Sequence, residues 1–410
     1  MADGITTFDF VCVGSATEDV FVSSDASKVI AISDVQRKHE LLCFDYGGKL
    51  NVDHIEFTTG GGATNAAVSL SRLGAKCAFL GMLGTDQVAR LVLDELDDHG
   101  IDTSYRLTSE TEPTGYSVIL TSFKGDRTVL VHRGANEQMS PDQIDWSFVE
   151  RTDWIYLTSL SGRSADLLAP LVEKASAAGV RIAINPGSTQ LRAGIDGLAD
   201  VLEATTVLLL NKEEAAELSG KPPARDVIIE SRCDLCGTCV EVCPAGALVE
   251  HHGRIVSHVD LCDRCGLCMP ACPQDAIAME PWTFNVTEAF DALKKAGPDV
   301  VVITDGEKGA QATDGETLFL LPAAKAKVAS TLGAGDAFGS AFTFEYARSG
   351  DIARALALGT ANAASVIRQI GAKNDLLDAE AAKAELAAFD ESKLRRHPFQ
   401  RVLESARPSD

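Results

Sequence analysis

Most of the cysteines lie in two short runs whose spacing could bind metal. "CDLCGTCVEVCP" begins at residue 233 and "CDRCGLCMPACP" at residue 262, and both follow the pattern Cys-x2-Cys-x2-Cys-x3-Cys-Pro. Clustered Cys-x2-Cys pairs in an intracellular chain indicate metal binding more than disulfides. Loops of this kind let three thiolates reach three irons of a cubane cluster. Two tetrahedral zinc sites would also use eight thiolates, but the repeated Cys-Pro ending favours iron–sulfur clusters.

The segment that holds these runs resembles the bacterial two-cluster ferredoxins, including the prolines Pro244 and Pro273. In those proteins the fourth ligand of each cluster comes from the other run. The clusters could transfer electrons, regulate the rest of the protein, or only hold together a module that has no core of its own. The resemblance implies two [4Fe–4S] clusters, one held by Cys233, Cys236, Cys239 and Cys272, the other by Cys262, Cys265, Cys268 and Cys243.

A glycine-rich turn before a predicted helix, "STLGAGD" at residues 330 to 336, could handle phosphate. Backbone N–H groups at such a helix start attract anions. The amides of Gly333, Ala334 and Gly335 could stabilise a transferring phosphoryl group. Asp336 could accept the proton of an attacking hydroxyl. Taken alone, the turn would also fit an ordinary helix cap.

Polar residues follow several other predicted strands. Glycines and Asn65 come before a predicted helix, and Asn211 and Glu214 follow a strand, where an acidic side chain could hold hydrated Mg²⁺. "GEKG" at residues 306 to 309 follows a further strand. Each of these features could be a loop or a cap, but the ordered set favours a phosphate-handling site.

This ordered set resembles the ribokinase-like (PfkB) family of sugar and nucleoside kinases over nearly all residues outside the cysteine segment. Four motifs of the family are matched in chain order. They are the Gly-Gly-x3-Asn-x-Ala signature at Gly60, Gly61, Asn65 and Ala67, the magnesium motif at Asn211 and Glu214, the nucleotide loop at Thr304, Gly306, Lys308 and Gly309, and the Asp-Thr-x-Gly-Ala-Gly-Asp signature at Thr331, Gly333, Ala334, Gly335 and Asp336.

The resemblance implies an enzyme that uses ATP and Mg²⁺ to phosphorylate a hydroxyl of a sugar or nucleoside, with Asp336 as the base. Three features depart from the family pattern. The stretch "YLTSLSG" lacks the acidic residue that ribokinases carry near this point, which weakens ribose as the substrate. Ser330 stands where many relatives carry an aspartate that helps to bind an activating monovalent cation, so dependence on such a cation is left open. Asp305 adds a negative charge near the nucleotide phosphates. A redox or sensor protein on a kinase scaffold with weak or no turnover is the alternative.

Further roles follow from the resemblance alone. Asn185, in "INPG", would lie near the phosphates, and Asn362, in "GTANAAS", near the adenine. The residues that would bind the acceptor substrate are Asp19, Gly60, Gly61 and Asn65.

Outside the cysteine segment, apolar strand-like runs alternate with helical stretches. This alternation predicts a mostly parallel sheet covered by helices on both faces. The resemblance makes it a ribokinase-like three-layer α/β/α sandwich with a small β lid. The kinase domain is predicted over residues 1–226 and 282–390, with the lid at about 15–60 and 112–132. The stretch from 41 to 57 is predicted to form a hairpin of the lid, which often doubles as a dimer contact in this family.

Between residues 227 and 281 the pattern changes to two copies of a unit made of a strand, a cysteine loop and a second strand. An inserted α+β ferredoxin-like domain, whose two ends lie close together, is predicted here. Residues 391–410 are polar and are predicted to form a loosely ordered tail.

The chain has 410 residues and a formal net charge of −22, which would repel nucleic-acid phosphates. No apolar run approaches the roughly 20 residues that cross a bilayer, and no secretory signal is visible at the start. We therefore expect a cytoplasmic protein that binds neither nucleic acid nor membrane. The expected partners are a sugar or nucleoside substrate, a possible redox partner for the clusters, and a possible second copy bound through the lid.

Overall fold

The computed structural model describes residues 7–24, 28–33, 38–121, 127–220, 226–257, 267–279 and 284–406. Its strands are β1 (Phe8–Val13), β2 (Thr17–Ser23), β3 (Lys28–Ser33), β4 (Lys38–Cys43), β5 (His54–Gly60), β6 (Cys77–Leu80), β7 (Met82–Leu83), β8 (Leu107–Thr108), β9 (Gly115–Thr121), β10 (Arg127–His132), β11 (Thr152–Leu157), β12 (Arg181–Ile184), β13 (Val207–Asn211), β14 (Asp226–Ile228), β15 (Leu248–Glu250), β16 (Ile255–Ser257), β17 (Ile277–Met279), β18 (Val300–Thr304), β19 (Ala310–Thr313), β20 (Thr317–Leu321) and β21 (Arg395–Pro398).

Helices separate most of these strands. The α-helices are α1 (Gly62–Arg72), α2 (Gln87–Asp98), α3 (Leu168–Ala178), α4 (Ser188–Gly197), α5 (Ala199–Glu203), α6 (Lys212–Leu218), α7 (Thr238–Glu241), α8 (Cys268–Ala271), α9 (Val286–Lys295), α10 (Ala334–Ser349), α11 (Ile352–Val366), α12 (Ala379–Ala387) and α13 (Phe399–Ala406). Short 3-10 helices lie at Gly134–Glu137, Pro141–Gln143, Trp146–Arg151, Gly162–Leu167, Gly306–Lys308 and Glu391–Lys393.

The main sheet has the strand order β21-β20-β19-β18-β13-β12-β11-β1-β6. The parallel strands of this sheet are β6, β1, β11, β12, β13 and β18. At one edge, β19, β20 and β21 add antiparallel pairs. β13 begins with four consecutive buried apolar residues, as expected for a parallel strand that is covered on both faces. The parallel strands end at the same edge of the sheet, where ligands collect in such folds.

Helices cover both faces of this sheet and form two apolar cores. Cys12 and Val13 are neighbours in β1, are both fully buried, and belong to opposite cores. One core includes the inner faces of α1, α10 and α11, and the other those of α3, α6 and α9. The predicted three-layer α/β/α sandwich is therefore confirmed.

A second sheet of four strands has the order β10-β9-β2-β5, and its strands fall within the segments predicted for the lid. The predicted hairpin over residues 41 to 57 is wrong. β4 pairs with β3 in a separate ribbon, whereas β5 pairs with β2 across the lid. Alternating apolar residues marked both strands correctly, but local sequence did not specify their partners.

The prediction of a loose tail after residue 390 is also wrong for the described residues up to 406. β21 pairs antiparallel with β20 and closes one edge of the main sheet. In α13, Phe399 is buried and packs edge-to-face against Phe290 of α9. Pairing with a strand distant in sequence orders this polar segment.

The cysteine segment folds as its internal repeat predicts. β14 and β15 enclose the first cysteine run, and β16 and β17 enclose the second. β14 pairs with β17, which brings the two ends of the segment together, and β15 pairs with β16. The buried apolar cluster described in this segment is small and consists of Cys239, Leu248, Ile255, Met269 and Ile277.

In the described parts of the chain, no helix combines the length and the apolar composition that a membrane crossing requires.

Candidate functional site

A pocket lies between the lid sheet and the carboxyl ends of the main-sheet strands. The loop after β1, the lid strands, the start of α1, the loop after β11 and the start of α10 all line it. It brings together Asp19 and four residues of two separate predicted motifs, namely Gly61, Asn65, Gly333 and Asp336.

Asp336 lies in the first turn of α10 and lines this pocket. Asn65 Nδ2 donates a hydrogen bond of 2.8 Å to Asp336 Oδ2. Burial raises the pKa of Asp336 to about 6, and the charge of Asp19 adds to this, whereas the hydrogen bond from Asn65 lowers it. A carboxylate with this pKa is ionised at neutral pH and can still take up a proton, which suits a general base.

Gly333 caps α10 in the left-handed region, with φ of 77°. A Cβ atom at this position would lie 2.5 Å from Cα of Ala372, so both the backbone angle and the close approach require glycine. Ala334 and Gly335 follow in the first helical turn, where N–H groups have no partner within the helix. The N–H of Ala334 donates to the carbonyl oxygen of Thr331 at 3.4 Å, and N–H groups of a first helical turn can attract an anion.

The acceptor side of the pocket is formed around Asp19, whose side chain is buried. Thr17 Oγ1 donates to Asp19 Oδ1 at 3.1 Å, and burial raises the pKa of Asp19. A Cβ at Gly60 would lie 2.1 Å from Asp19 Oδ2. Gly61 has φ of 99° and approaches the carbonyl oxygen of Ser15. The Gly-Gly pair therefore lets the chain turn closely around the carboxylate.

The predicted nucleotide-side residues lie at the ends of three adjacent parallel strands. Asn185 follows β12, and its Nδ2 donates to the carbonyl oxygen of Leu209 at 3.0 Å. Asn211 ends β13 and Thr304 ends β18, with these two residues paired in register. The turn from Gly306 to Gly309 comes next in the chain, as a 3-10 helix. The pocket lining as described does not include these residues, which extend along the same sheet edge.

The extra negative charge of Asp305 is not isolated. Its Oδ2 lies 3.4 Å from Lys212 Nζ and 3.7 Å from Lys308 Nζ. These lysines offset the charge that the sequence placed near the nucleotide phosphates.

Asn211 and Glu214 form a capping box at the start of α6. The N–H of Glu214 donates to Asn211 Oδ1, and the N–H of Asn211 donates to Glu214 Oε2, both at 2.8 Å. Burial raises the pKa of Glu214 to about 7, and the nearby charge of Asp336 acts in the same direction. A divalent cation would relieve this crowding of carboxylates, so the two residues fit hydrated Mg²⁺ as well as a helix cap.

Asn362 makes its hydrogen bonds within the protein. The side chain is completely buried. Its Nδ2 donates to Ser69 Oγ and to the carbonyl oxygen of Ala337, and its Oδ1 accepts from the N–H of Leu377. The amide is thus used to join α1, α10 and α11 to the loop after α11, and the position of Asn362 near the adenine stays a prediction.

Several pocket residues were missed by the sequence interpretation. Ser15, Ser159 and Ser161 line the pocket and follow β1 and β11, so their position after parallel strands could have marked them. Arg133 and Asn136 also line it, from the segment after β10. Nothing local in the sequence points to these last two.

The cysteines of the first predicted set surround one small cavity. Cys233, Cys236, Cys239 and Cys272 all line it, so the loop of one run and the last cysteine of the other meet as expected. This arrangement fits a cluster held by thiolates from both runs.

Backbone N–H groups also donate to sulfur in equivalent places of the two repeats. The N–H of Ala247 lies 3.2 Å from Cys243 Sγ, and that of Ala276 lies 3.3 Å from Cys272 Sγ. Such hydrogen bonds are typical of thiolates that bind clusters. Cys268 packs at the same small core, while Cys262 and Cys265 lie outside the described residues.

Comparison with known families identifies both parts of the chain. The profile of the pfkB family carbohydrate kinases matches residues 24–231 and 275–379. That of the 4Fe-4S dicluster domain matches residues 232–277, which fill the interruption.

Similar proteins are kinases. An uncharacterized sugar kinase of Archaeoglobus fulgidus is 23% identical over 75% of this chain and 98% of its own length. The aminoimidazole riboside kinase of Salmonella typhimurium is 29% identical over 70% of this chain and 74% of its own. The structure of Arabidopsis thaliana ribokinase complexed with ribose and ATP shares the fold, with a TM-score of 0.64 at 21% identity, covering 93% of this chain and 99% of that one.

The chain therefore belongs to the pfkB family of carbohydrate kinases, enzymes that transfer a phosphoryl group from ATP to a hydroxyl, and it carries a 4Fe–4S dicluster domain within its sequence.

Proposed function

We propose that a sugar or nucleoside hydroxyl is phosphorylated in the pocket between Asp19 and Asp336. The hydroxyl oxygen attacks the γ-phosphorus of ATP, its proton passes to Asp336, and ADP leaves. One observation carries this proposal: among the described residues nothing hydrogen-bonds the buried Asn65 Oδ1, although Nδ2 of the same side chain holds Asp336. A substrate hydroxyl that donated to this oxygen would be held beside the base.

The start of α10 would stabilise the transferring phosphoryl group. The amides of Gly333, Ala334 and Gly335 lie at the start of α10 and would attract an anion beside Asp336. Their positive ends would lie where charge builds up in the transition state.

The nucleotide would bind along the neighbouring strand ends. Asn185, Thr304 and the loop of Gly306, Lys308 and Gly309 lie on adjacent strands or directly after them. Glu214, with Asn211, would hold Mg²⁺, which offsets phosphate charge when bound.

A screen of acceptors tests the proposal. Purified protein, handled without oxygen, is mixed with Mg-ATP and each sugar or nucleoside in turn, and ADP formation is measured. We expect acceptor-dependent ADP release that falls by about 10³-fold in Asp336→Asn, since a general base contributes roughly that factor. Asp291→Asn, which removes a surface carboxylate paired with Lys295, is the matched control. Undiminished turnover in Asp336→Asn would contradict the assignment.

For the inserted domain we propose two [4Fe–4S] clusters. Cys233, Cys236, Cys239 and Cys272 would hold one, and the cavity that they share supports this set. Cys262, Cys265, Cys268 and Cys243 would hold the other, which the matching N–H contact to Cys243 supports. Anaerobic protein should contain about eight irons per chain and show the broad visible absorbance of cubane clusters.

The clusters would serve the kinase as an accessory that a redox partner could address. Both ends of the insert connect to nucleotide-side elements, since α6 precedes it and α9 leads into β18. Kinetic constants measured for oxidised, reduced and cluster-free protein would decide this. Equal values in all three states would exclude regulation by the clusters.

We also propose a cytoplasmic homodimer formed through the lid. One row across the lid sheet contains Phe57, Val20, Val118 and Leu130, on the face opposite Asp19. Phe57 and Leu130 are more than half exposed, which is unusual for a monomer surface. Sedimentation should show a dimer that dissociates in Phe57→Glu, and a monomeric wild-type protein would contradict it.

A further inference from the structure

The loop between α11 and α12 has no regular structure, but hydrogen bonds from α1 and α11 hold it in place. The guanidinium group of Arg72, from α1, donates to the carbonyl oxygen of Leu376 at 2.7 and 3.0 Å. Asn362 accepts a hydrogen bond of 2.9 Å from the N–H of Leu377. Bonds of this kind hold a loop in one conformation without a helix or a sheet.

This loop contacts both sides of the catalytic pocket. Ala372 packs against Gly333, so closely that a Cβ at Gly333 would lie 2.5 Å from it. One residue earlier, Gly371 adopts a φ of 101° and approaches Thr58, which lies near the end of lid strand β5. The loop thus bridges the cap of the catalytic helix and the lid.

Lys373, the next residue, is buried at this bridge. Its side chain is 7% exposed, which is rare for a lysine unless the charge is paired. Nζ donates to Thr59 Oγ1 at 2.8 Å and forms an ion pair with Glu95 of α2. Thr59 Oγ1 in turn donates to Glu95 Oε2. The loop after α11, β5 and α2 are therefore joined at the ammonium group of Lys373.

The ammonium group also acts on the pocket carboxylates. Its charge lowers the pKa of both Asp19 and Asp336, against the stronger opposite effect of burial. The charged groups that act on Asp336 are Asp19 from β2, Glu214 from α6 and Lys373 from this loop. Lys373 is thus the one cation among the groups that act on the catalytic carboxylate in the described residues.

We propose that Lys373 is a positioning residue of the kinase reaction. Held by Glu95 and Thr59, it fixes the end of β5, and with it the Gly-Gly turn of the acceptor site, against the loop on which the catalytic helix rests. This inference rests on the proposed role of Asp336 as the base.

A purely structural ion pair would behave differently from a positioning one. Removing one partner of a buried pair destabilises a protein because the other charge is left uncompensated, whereas removing both is often tolerated. If Lys373 only stabilised the fold, removal of both Lys373 and Glu95 would restore stability and activity together. If it positions the pocket, stability would return without the activity.

The test therefore compares Lys373→Met, Glu95→Gln and the double variant in full-length, cluster-containing protein. We expect Lys373→Met to lower the melting temperature and to reduce kcat by about tenfold or more, since small displacements of reacting groups have effects of this size. The double variant should regain most of the melting temperature but not kcat. Recovery of both would overturn the proposal.

The pH profile of kcat/KM for the acceptor gives an independent readout. Removing the ammonium group raises the pKa of Asp336, so the acid limb of the profile should move to higher pH in the double variant. An acid limb at the wild-type position would overturn the proposal. Lys295→Met, which breaks the exposed ion pair with Asp291, is the matched control and should leave kcat and the acid limb unchanged.

Thr59→Val keeps the inference falsifiable if the charge variants do not fold. The substitution removes only the hydroxyl that joins Lys373 to β5. We expect the KM for the acceptor to rise by about threefold or more while the KM for ATP stays within about twofold. If both KM values of the Thr59→Val variant equalled those of the wild type, the proposal would be wrong. If the Asp336→Asn variant were active, the role of Asp336 as the base would be wrong. Failure of that role and failure of the positioning role of Lys373 can therefore be told apart.

Discussion

The kinase pocket and the cysteine module reach their geometry by opposite routes. The pocket joins Asp19, Asn65 and Asp336, which are far apart in sequence, and two extensive apolar cores hold the elements that carry them. The module draws its proposed ligands from residues 233 to 272, and the apolar core described there has five buried residues.

The difference shows where each region obtains its stability. The sheet and its helices position Asp336 through burial of apolar side chains on both faces of the sheet. A module with so little buried surface depends on metal–thiolate bonds for its fold. Catalysis by the pocket should therefore tolerate damage to the module better than the module tolerates loss of its metal.

Among changes to the backbone of the pocket, the largest effect is expected at Gly333. Gly333→Ala forces a strained φ and a collision with Ala372, which displaces the amides of the anion site. We expect kcat to fall by about 100-fold, as for loss of one oxyanion donor, while iron content stays normal. Gly335→Ala has open space around its Cβ and should match the wild-type free energy of unfolding. Normal turnover in Gly333→Ala would contradict the anion site.

Asn362→Ala tests how far the core alone supports the pocket. Loss of the hydrogen bonds to Ser69, Ala337 and Leu377 should lower the free energy of unfolding by about 1–3 kcal/mol. The KM for ATP, measured in the same preparation, should stay within about twofold, because the polar atoms of this side chain are bonded within the protein. A selective rise in that KM would support a position of Asn362 near the adenine.

As the pH is lowered, we expect kinase activity to fall before the clusters are lost. Asp336 must be ionised to accept a proton, and burial sets its pKa at about 6. Activity is therefore present above this pH and is lost below it, so kcat/KM for the acceptor at pH 5 should be about tenfold below its plateau. Cluster absorbance recorded at the same pH checks that the module is intact. A flat profile down to pH 5 would contradict Asp336 as the base.

Loss of one ligand should affect the module alone. Cys236→Ala removes a thiolate from the cavity of the first set, so iron content should fall to about half. Hydrogen exchange should accelerate between residues 226 and 279, whereas the main-sheet strands keep their protection. Cys43→Ala, outside both runs, is the control for iron content. Faster exchange throughout the main sheet would show that the two regions are not independently held.

The sequence anticipated features that depend on local pattern. The family motifs named Asn185, Asn211 and Thr304, and the apolar runs before them indicated that all three follow parallel strands, which end at one sheet edge. The repeated cysteine spacing likewise predicted which sulfurs meet in the cavity around Cys239 and Cys272.

Features that depend on distant pairing were not anticipated. β5 and β21 pair with strands that lie far away in the sequence and that no local pattern identifies, so the predictions of the lid hairpin and the loose tail were wrong. Lys373 lies in an irregular loop, and only the fold shows that it meets Glu95 and Thr59. Asn362 has the residue type of a ligand contact, but its complete burial uses every polar atom internally.

Acceptor-dependent ADP formation, measured side by side for the wild type, Asp336→Asn and Cys236→Ala, tests the central claim most directly. If the reaction takes place at the start of α10, turnover should fall by about 10³-fold in Asp336→Asn and should stay within about tenfold of the wild type in Cys236→Ala. Turnover that survives in Asp336→Asn but vanishes in Cys236→Ala would place the reaction in the cysteine module and contradict the account.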